Sequence, residues 1–115
     1  MRSKTRSARR RVIYYHMSHF DKWFVYIVEC ADGTYYTGVT KDLDRRVTEH
    51  NNSKKGAKYT RSRRPVKLIA HTIVNSVSDA LKLESKIKKQ KRKNKISFLI
   101  EESKNAKQME RSKKL

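Results

Sequence analysis

Carboxylates are scarce in this chain. Eleven Asp and Glu stand against 30 Lys and Arg in 115 residues, a formal charge of +19. That imbalance leaves the fold open but constrains partners. It calls for a polyanion, nucleic acid first and an anionic membrane surface second. Cysteine is nearly absent too. With Cys30 alone, a disulfide framework and a cysteine zinc cluster are both excluded, and a reducing, cytoplasmic setting near the nucleoid is the expectation. Long apolar runs are missing. Phe24–Val28 and Leu68–Val74 fall far short of the roughly 20 residues that span a bilayer. The length suits one domain with a modest core, and a monomer is the default.

What is present is arranged in blocks. Residues 1–20 hold six Lys and Arg and no carboxylate, and residues 51–67 and 85–95 hold seven each, again with none. An even spread would serve solubility, whereas blocks make surfaces. Residues 1–20 read as a disordered basic arm whose Arg- and Ser-rich composition also suits an organellar transit segment at 1–16. Met17 is a second candidate start. Residues 103–115 read as a flexible polar tail.

The folded unit is expected at 21–102. Trp23–Cys30 and Thr34–Val39 read as strands around a turn at Ala31-Asp32-Gly33. Thr40 is the expected cap of a helix running to about His50 and stopping at Asn51-Asn52. A basic loop follows, then a strand at Val66–Val74. Ser78 is expected to cap a second helix, Asn94 to break it, and Ile96–Glu102 to form a short last one. The order β-β-α-β-α-α predicts an α+β domain, a small three-stranded antiparallel sheet flanked by helices.

Register decides where the tyrosines point. A two-residue Asp32-Gly33 turn would send Tyr26 and Tyr36 to opposite faces. A three-residue loop with Gly33 in the left-handed position instead pairs Cys30 with Thr34, Val28 with Tyr36 and Tyr26 with Gly38. Both tyrosines then share a face as diagonal neighbours, roughly 7–8 Å apart. This register is favoured because it makes Gly38 the open space opposite Tyr26, room for a ligand.

The helices add to that picture. Leu43, Arg46, Val47 and His50 recur at the spacing of one helical face, so an arginine and a histidine turn toward the sheet. On the second helix Val77, Ala80, Leu81, Glu84 and Ile87 form the expected stripe, in which one carboxylate would be costly without a cation beside it. Each feature alone has an ordinary explanation in packing, capping or a salt bridge. Their coincidence on inward-looking positions does not.

These residues resemble the GIY-YIG nuclease superfamily, in its small stand-alone single-domain branch of bacterial-type proteins. Val25-Tyr26-Ile27 and Tyr36-Thr37-Gly38 stand for the two signature tripeptides. Arg46, His50 and Asn51 follow at the family's positions, and GAKYTRSRRP (56–65) and ALKLESKIKK (80–89) are typical of the branch. The resemblance covers about residues 22–100. Thr37 departs from the usual isoleucine, Val39 stands where some members carry a lysine that assists the base, and the first tripeptide lacks its glycine.

The resemblance implies metal-dependent hydrolysis of DNA phosphodiesters, with Tyr26, Tyr36, Arg46, His50 and Glu84 catalytic. Glu84 would hold one Mg²⁺ or Mn²⁺. Either tyrosine is a candidate base. Lys54, Lys55, Lys58, Tyr59, Thr60, Arg61, Arg63, Arg64, Lys88 and Lys89 are the expected nucleic-acid contacts, Tyr59 by stacking on a base. Phosphate contacts carry no sequence code, so selection of single strands, flaps or branches is expected, in repair or recombination. The alternative is a non-catalytic basic nucleic-acid-binding protein that keeps the scaffold. A broad apolar helix face for a membrane surface is not evident.

Overall fold

The structure, a computed structural model, describes residues 22–114, with side chains to residue 105. The basic arm expected at 1–20 lies outside the described residues. Strands β1 (Trp23–Glu29), β2 (Tyr35–Thr40) and β3 (Lys67–Val74) form one antiparallel sheet in the order β2-β1-β3. Helix α1 (Leu43–Asn52) and a short α2 (Lys58–Arg61) lie between β2 and β3, and α3 (Val77–Lys88) and α4 (Arg92–Lys114) follow. The segment expected to be wholly loop thus contains a helical turn.

β1 sits centrally because it is apolar on both faces. Val25 to Val28 are all at most 1% exposed, and burying an aliphatic side chain of this kind contributes about 1.5–3 kcal/mol. Alternation along the strand splits them. Val25 and Ile27 join Ala80, Leu83, Ile87 and Leu99 of α3 and α4 in one core. Tyr26 and Val28 join Cys30 and Val66 in the other, against Tyr36, Leu43, Val47 and Leu68.

The hairpin register is the three-residue one. Tyr26 faces Gly38 and Val28 faces Tyr36, Cys30 N–H donates to Thr34 O at 2.8 Å, and Gly33 has φ +83°. Gly38, however, is not empty space. A Cβ there would lie 2.5 Å from Tyr26 Oη and 2.7 Å from its Cζ. The missing side chain is replaced by the Tyr26 ring itself, which crosses the β2 backbone.

The helix ends differ from expectation. Asp42, not Thr40, caps α1 by accepting from Arg45 N–H, while Thr40 Oγ1 accepts from Asp42 N–H one step earlier. Ser76, not Ser78, caps α3 through Asp79 N–H. On α3 the buried stripe is Ala80, Leu83 and Ile87, whereas Val77 and Leu81 are 42% and 49% exposed. That rotation moves Glu84 from the centre of the apolar face to its border. The break before α4 falls at 89–91, ahead of Asn94, and α4 continues as helix through residues expected as a polar tail. Residues 103–114 include no Gly or Pro to stop it.

Replacing Gly38 by alanine sets a methyl group against a ring fixed at its far end. We expect Gly38→Ala to cost about 1–3 kcal/mol in denaturant unfolding, as overpacked cores do. A stability equal to wild type would mean the Tyr26 ring moves aside freely.

Candidate active site

The site grows from the Tyr26 ring lying over Gly38. Helix α1 brings His50 to meet it, because positions 43, 46, 47 and 50 share the face turned to the sheet. Tyr26 Oη and His50 Nε2 are 2.7 Å apart. On the other side of the imidazole, Nδ1 lies 2.8 Å from Thr60 Oγ1, and Thr60 Oγ1 donates to Ala57 O at 3.0 Å. His50 and Thr60 are wholly buried. The half-buried Tyr36 ring packs edge-on to His50 at 5.3 Å and stacks near Tyr59 at 6.0 Å.

One helical turn before His50, Arg46 lies nearer the surface. Its Nη1 donates to Glu49 Oε1 at 3.0 Å and to Lys55 O at 2.8 Å. Burial alone would lower its pKa, but contacts with Glu49 and Tyr26 hold it above the usual arginine value. It is a fixed cation beside the phenol. Burial pushes the Tyr26 phenol up to about 12, with Arg46 opposing and the charges of Tyr36 and Glu84 adding to the rise. Burial also pushes His50 down to about 4, helped by Arg46 and Arg64 and opposed by Glu49. The phenol and the imidazole are both neutral at pH 7.

Glu84 stands on α3 in the other helical layer, and its charge adds the smallest of the contributions acting on Tyr26. Its carboxylate pairs with Lys88 Nζ at 3.3 Å and is 19% exposed. Among the described residues no group of three or more His, Cys, Asp or Glu could hold a metal ion. One partly exposed carboxylate suits a hard ion such as Mg²⁺ or Mn²⁺ that keeps most of its water. It does not suit zinc, which takes three or four protein ligands.

Of the expected nucleic-acid contacts, Lys54, Lys55, Lys58, Arg61 and Lys89 are exposed. Lys88 is half exposed beside Glu84. Three others turn toward the protein. Thr60 is buried against His50. Arg64 donates to the backbone carbonyls of Glu49, His50 and Ser53, closing the end of α1. Arg63 pairs with Asp32 at 3.1 Å and lies 3.8 Å over the Tyr59 ring. Tyr59, 38% exposed, therefore already has stacking partners within the fold.

Sequence reasoning overlooked Glu49, although its spacing of three from Arg46 was the signal for the pair. It also overlooked the clamp in which Asn51 bonds both the N–H and the carbonyl of Val66. Cys30 is 3% exposed, and burial pushes its thiol up. It is packing.

Comparison with known proteins gives the family of the fold. A family model described as the GIY-YIG catalytic domain matches residues 22–97. A UPF0213 protein of Desulfotalea psychrophila is 61% identical over 66 residues, covering 57% of this chain and 60% of that one. A UPF0213 protein of Syntrophus aciditrophicus is 51% identical over 78 residues, covering 68% and 90%. The solution NMR structure of the protein EF2693 from E. faecalis is 41% identical with a TM-score of 0.50, covering 68% of this chain and 82% of that chain.

Because His50 is held neutral by the fold, acid must break it. Its folded value of about 4 lies below the ordinary 6.5, so its contribution is fully present above pH 6.5 and is lost as pH falls through 4. At about 1.36 kcal/mol per pH unit the gap amounts to roughly 3 kcal/mol. Urea unfolding of wild type and His50→Gln at pH 7 and pH 4 should show wild type losing more on acidification by an amount of that order. Parallel losses would mean the imidazole titrates normally in the folded chain.

Proposed function

The chain belongs to the GIY-YIG family, a nuclease superfamily, and from that premise we propose that it is a metal-dependent endonuclease hydrolysing DNA phosphodiesters by the structure of its substrate. The observation that carries the reading is the meeting of Tyr26, His50 and Arg46, contributed by β1 and α1, within reach of the charge of Glu84. A structural salt bridge needs no phenol, and a surface built only to bind phosphate gains nothing from a carboxylate.

The chemistry follows from the two neutral groups. A phenolate would be a poor resting state for Tyr26 at pH 7. The phenol works instead as a relay. Its oxygen takes a proton from the attacking water while its own hydrogen passes to His50 Nε2. The water oxygen bonds to phosphorus as the bond to the leaving oxygen breaks, and that oxygen is protonated from solvent. Arg46, held by Glu49 and Lys55, neutralises charge developing on the phosphoryl oxygens without needing to reorganise. Tyr36, half buried beside His50, keeps the imidazole edge packed. A divalent ion held by Glu84, water and phosphate oxygens would supply charge stabilisation at the leaving oxygen.

Substrate would be held by the outward residues Lys54, Lys55, Lys58, Arg61 and Lys89, with the lysines of 86–95 alongside. Lysine contacts to phosphate read no base edges. Selectivity then rests on the shape of the nucleic acid, in keeping with single-stranded, flapped or branched substrates.

Labelled single-stranded and branched DNA should be cut in Mg²⁺ or Mn²⁺ in preference to plain duplex, with RNA run as a parallel set. Glu84→Ala should lose cutting while keeping affinity, and Arg46→Ala should cut about 10²-fold slower or worse. Tight, salt-sensitive binding without cutting of any substrate would establish the non-catalytic binder instead.

A further inference from the structure

The buried hydroxyl of Thr60 has no part in the chemistry above, yet it touches the imidazole that does. A threonine hydroxyl owns one hydrogen, and a neutral imidazole owns one N–H, so the chain of contacts can be followed from either end. At one end, the Tyr26 phenol has His50 Nε2 2.7 Å away. Its other polar neighbour, the Arg46 guanidinium, can only donate. The phenolic hydrogen therefore goes to Nε2. At the other end, Thr60 Oγ1 donates its hydrogen to Ala57 O at 3.0 Å, leaving the oxygen to accept from Nδ1 at 2.8 Å. The two ends require the same ring tautomer.

We propose that Thr60 is a positioning residue: its hydroxyl, oriented by the Ala57 carbonyl, fixes His50 with the proton on Nδ1 and so leaves Nε2 free to accept from Tyr26. Its effect on rate rests on the nuclease reading above; its effect on the ring does not. The Ala57 carbonyl stands at the start of α2, where it also takes the N–H groups of Thr60 and Arg61 at 3.1 and 3.0 Å. The helical turn in the basic loop thus holds the hydroxyl where α1 needs it. Thr60 is wholly buried, so it acts through His50 and not by touching nucleic acid. Without the hydroxyl, the Nδ1 N–H loses its buried acceptor and only the Tyr26 end still favours that tautomer, while the other tautomer points an N–H at a phenol whose own hydrogen then has no acceptor.

The test is a long-range ¹H–¹⁵N correlation spectrum of the His50 ring in the full chain, run beside cleavage and binding assays, for wild type, Thr60→Ser and Thr60→Val. Wild type should show protonated Nδ1 and unprotonated Nε2. Serine should keep that pattern and a rate near wild type. Valine, of matching shape, should move the ring nitrogens toward mixed tautomers and slow cleavage about 10-fold or more, with affinity unchanged. Protonated Nε2 in wild type overturns the proposal whether or not Thr60→Val folds, as does a valine variant with the wild-type ring pattern and rate. Absence of cleavage by the wild type itself would sink the nuclease reading while the spectra still judge the tautomer.

Discussion

The bond between the Tyr26 phenol and His50 is the contact on which the site depends, and it is possible only because one residue has no side chain. Tyr26 stands on the central strand, where neighbours on both sides are buried. To leave that strand and meet α1, its ring must cross β2, and it crosses at Gly38, where a methyl group would collide with it. The hairpin register brings that glycine opposite. A shift of a single residue would place Thr37 or Val39 there, and the ring would have no route.

The basic loop after α1 shows how one charged segment can be divided by residue chemistry. Its lysines and Arg61 face outward, while Arg63 and Arg64 turn inward. Guanidinium is a planar fork with several donors and weaker hydration than ammonium, so it can bridge carbonyls that lysine could serve only singly. Arg64 closes the end of α1 through three carbonyls, and Arg63 joins α2 to the hairpin turn through Asp32. Arg92 does the same from α4, donating to Gly33 O at 2.7 Å and lying 4.1 Å over Tyr35. The hairpin tip is thus pinned from two sides by arginines.

Much of this could be read in advance because it depends on period and on glycine. The strands, their register, the α+β order and the inward face of Leu43, Arg46, Val47 and His50 follow from alternation, a left-handed turn and helical spacing. What escaped was set by packing across elements. The caps each moved by two residues because Thr40 and Ser78 compete with equally good neighbours, Asp42 and Ser76. The α3 stripe turned because Leu83, not Leu81, joins Val25, Ile27 and Leu99 in the core. Thr60, Arg63 and Arg64 looked like phosphate contacts from composition. Their inward partners, His50, Asp32 and the end of α1, lie between 10 and 31 residues away in the chain, beyond any local pattern.

Neutrality at the centre of so cationic a protein has its own logic. Arg46 and Arg64 both act on His50, so a proton on the imidazole at rest would add another cation beside two that cannot be discharged. Burial and those charges keep it off. The same burial opposes a phenolate on Tyr26, although Arg46 alone would favour one. Two groups that are each reluctant to ionise, joined by a single hydrogen bond, can hand a proton along without either holding charge before substrate arrives. Glu84 completes the balance from the other layer. At the border of its helix face it stays partly wet beside Lys88, so it need not surrender its hydration unpaired, and it remains the carboxylate whose charge reaches the phenol. The fold thus keeps its two neutral groups dry and its anionic group near water, a division on which the proposed hydrolysis would draw.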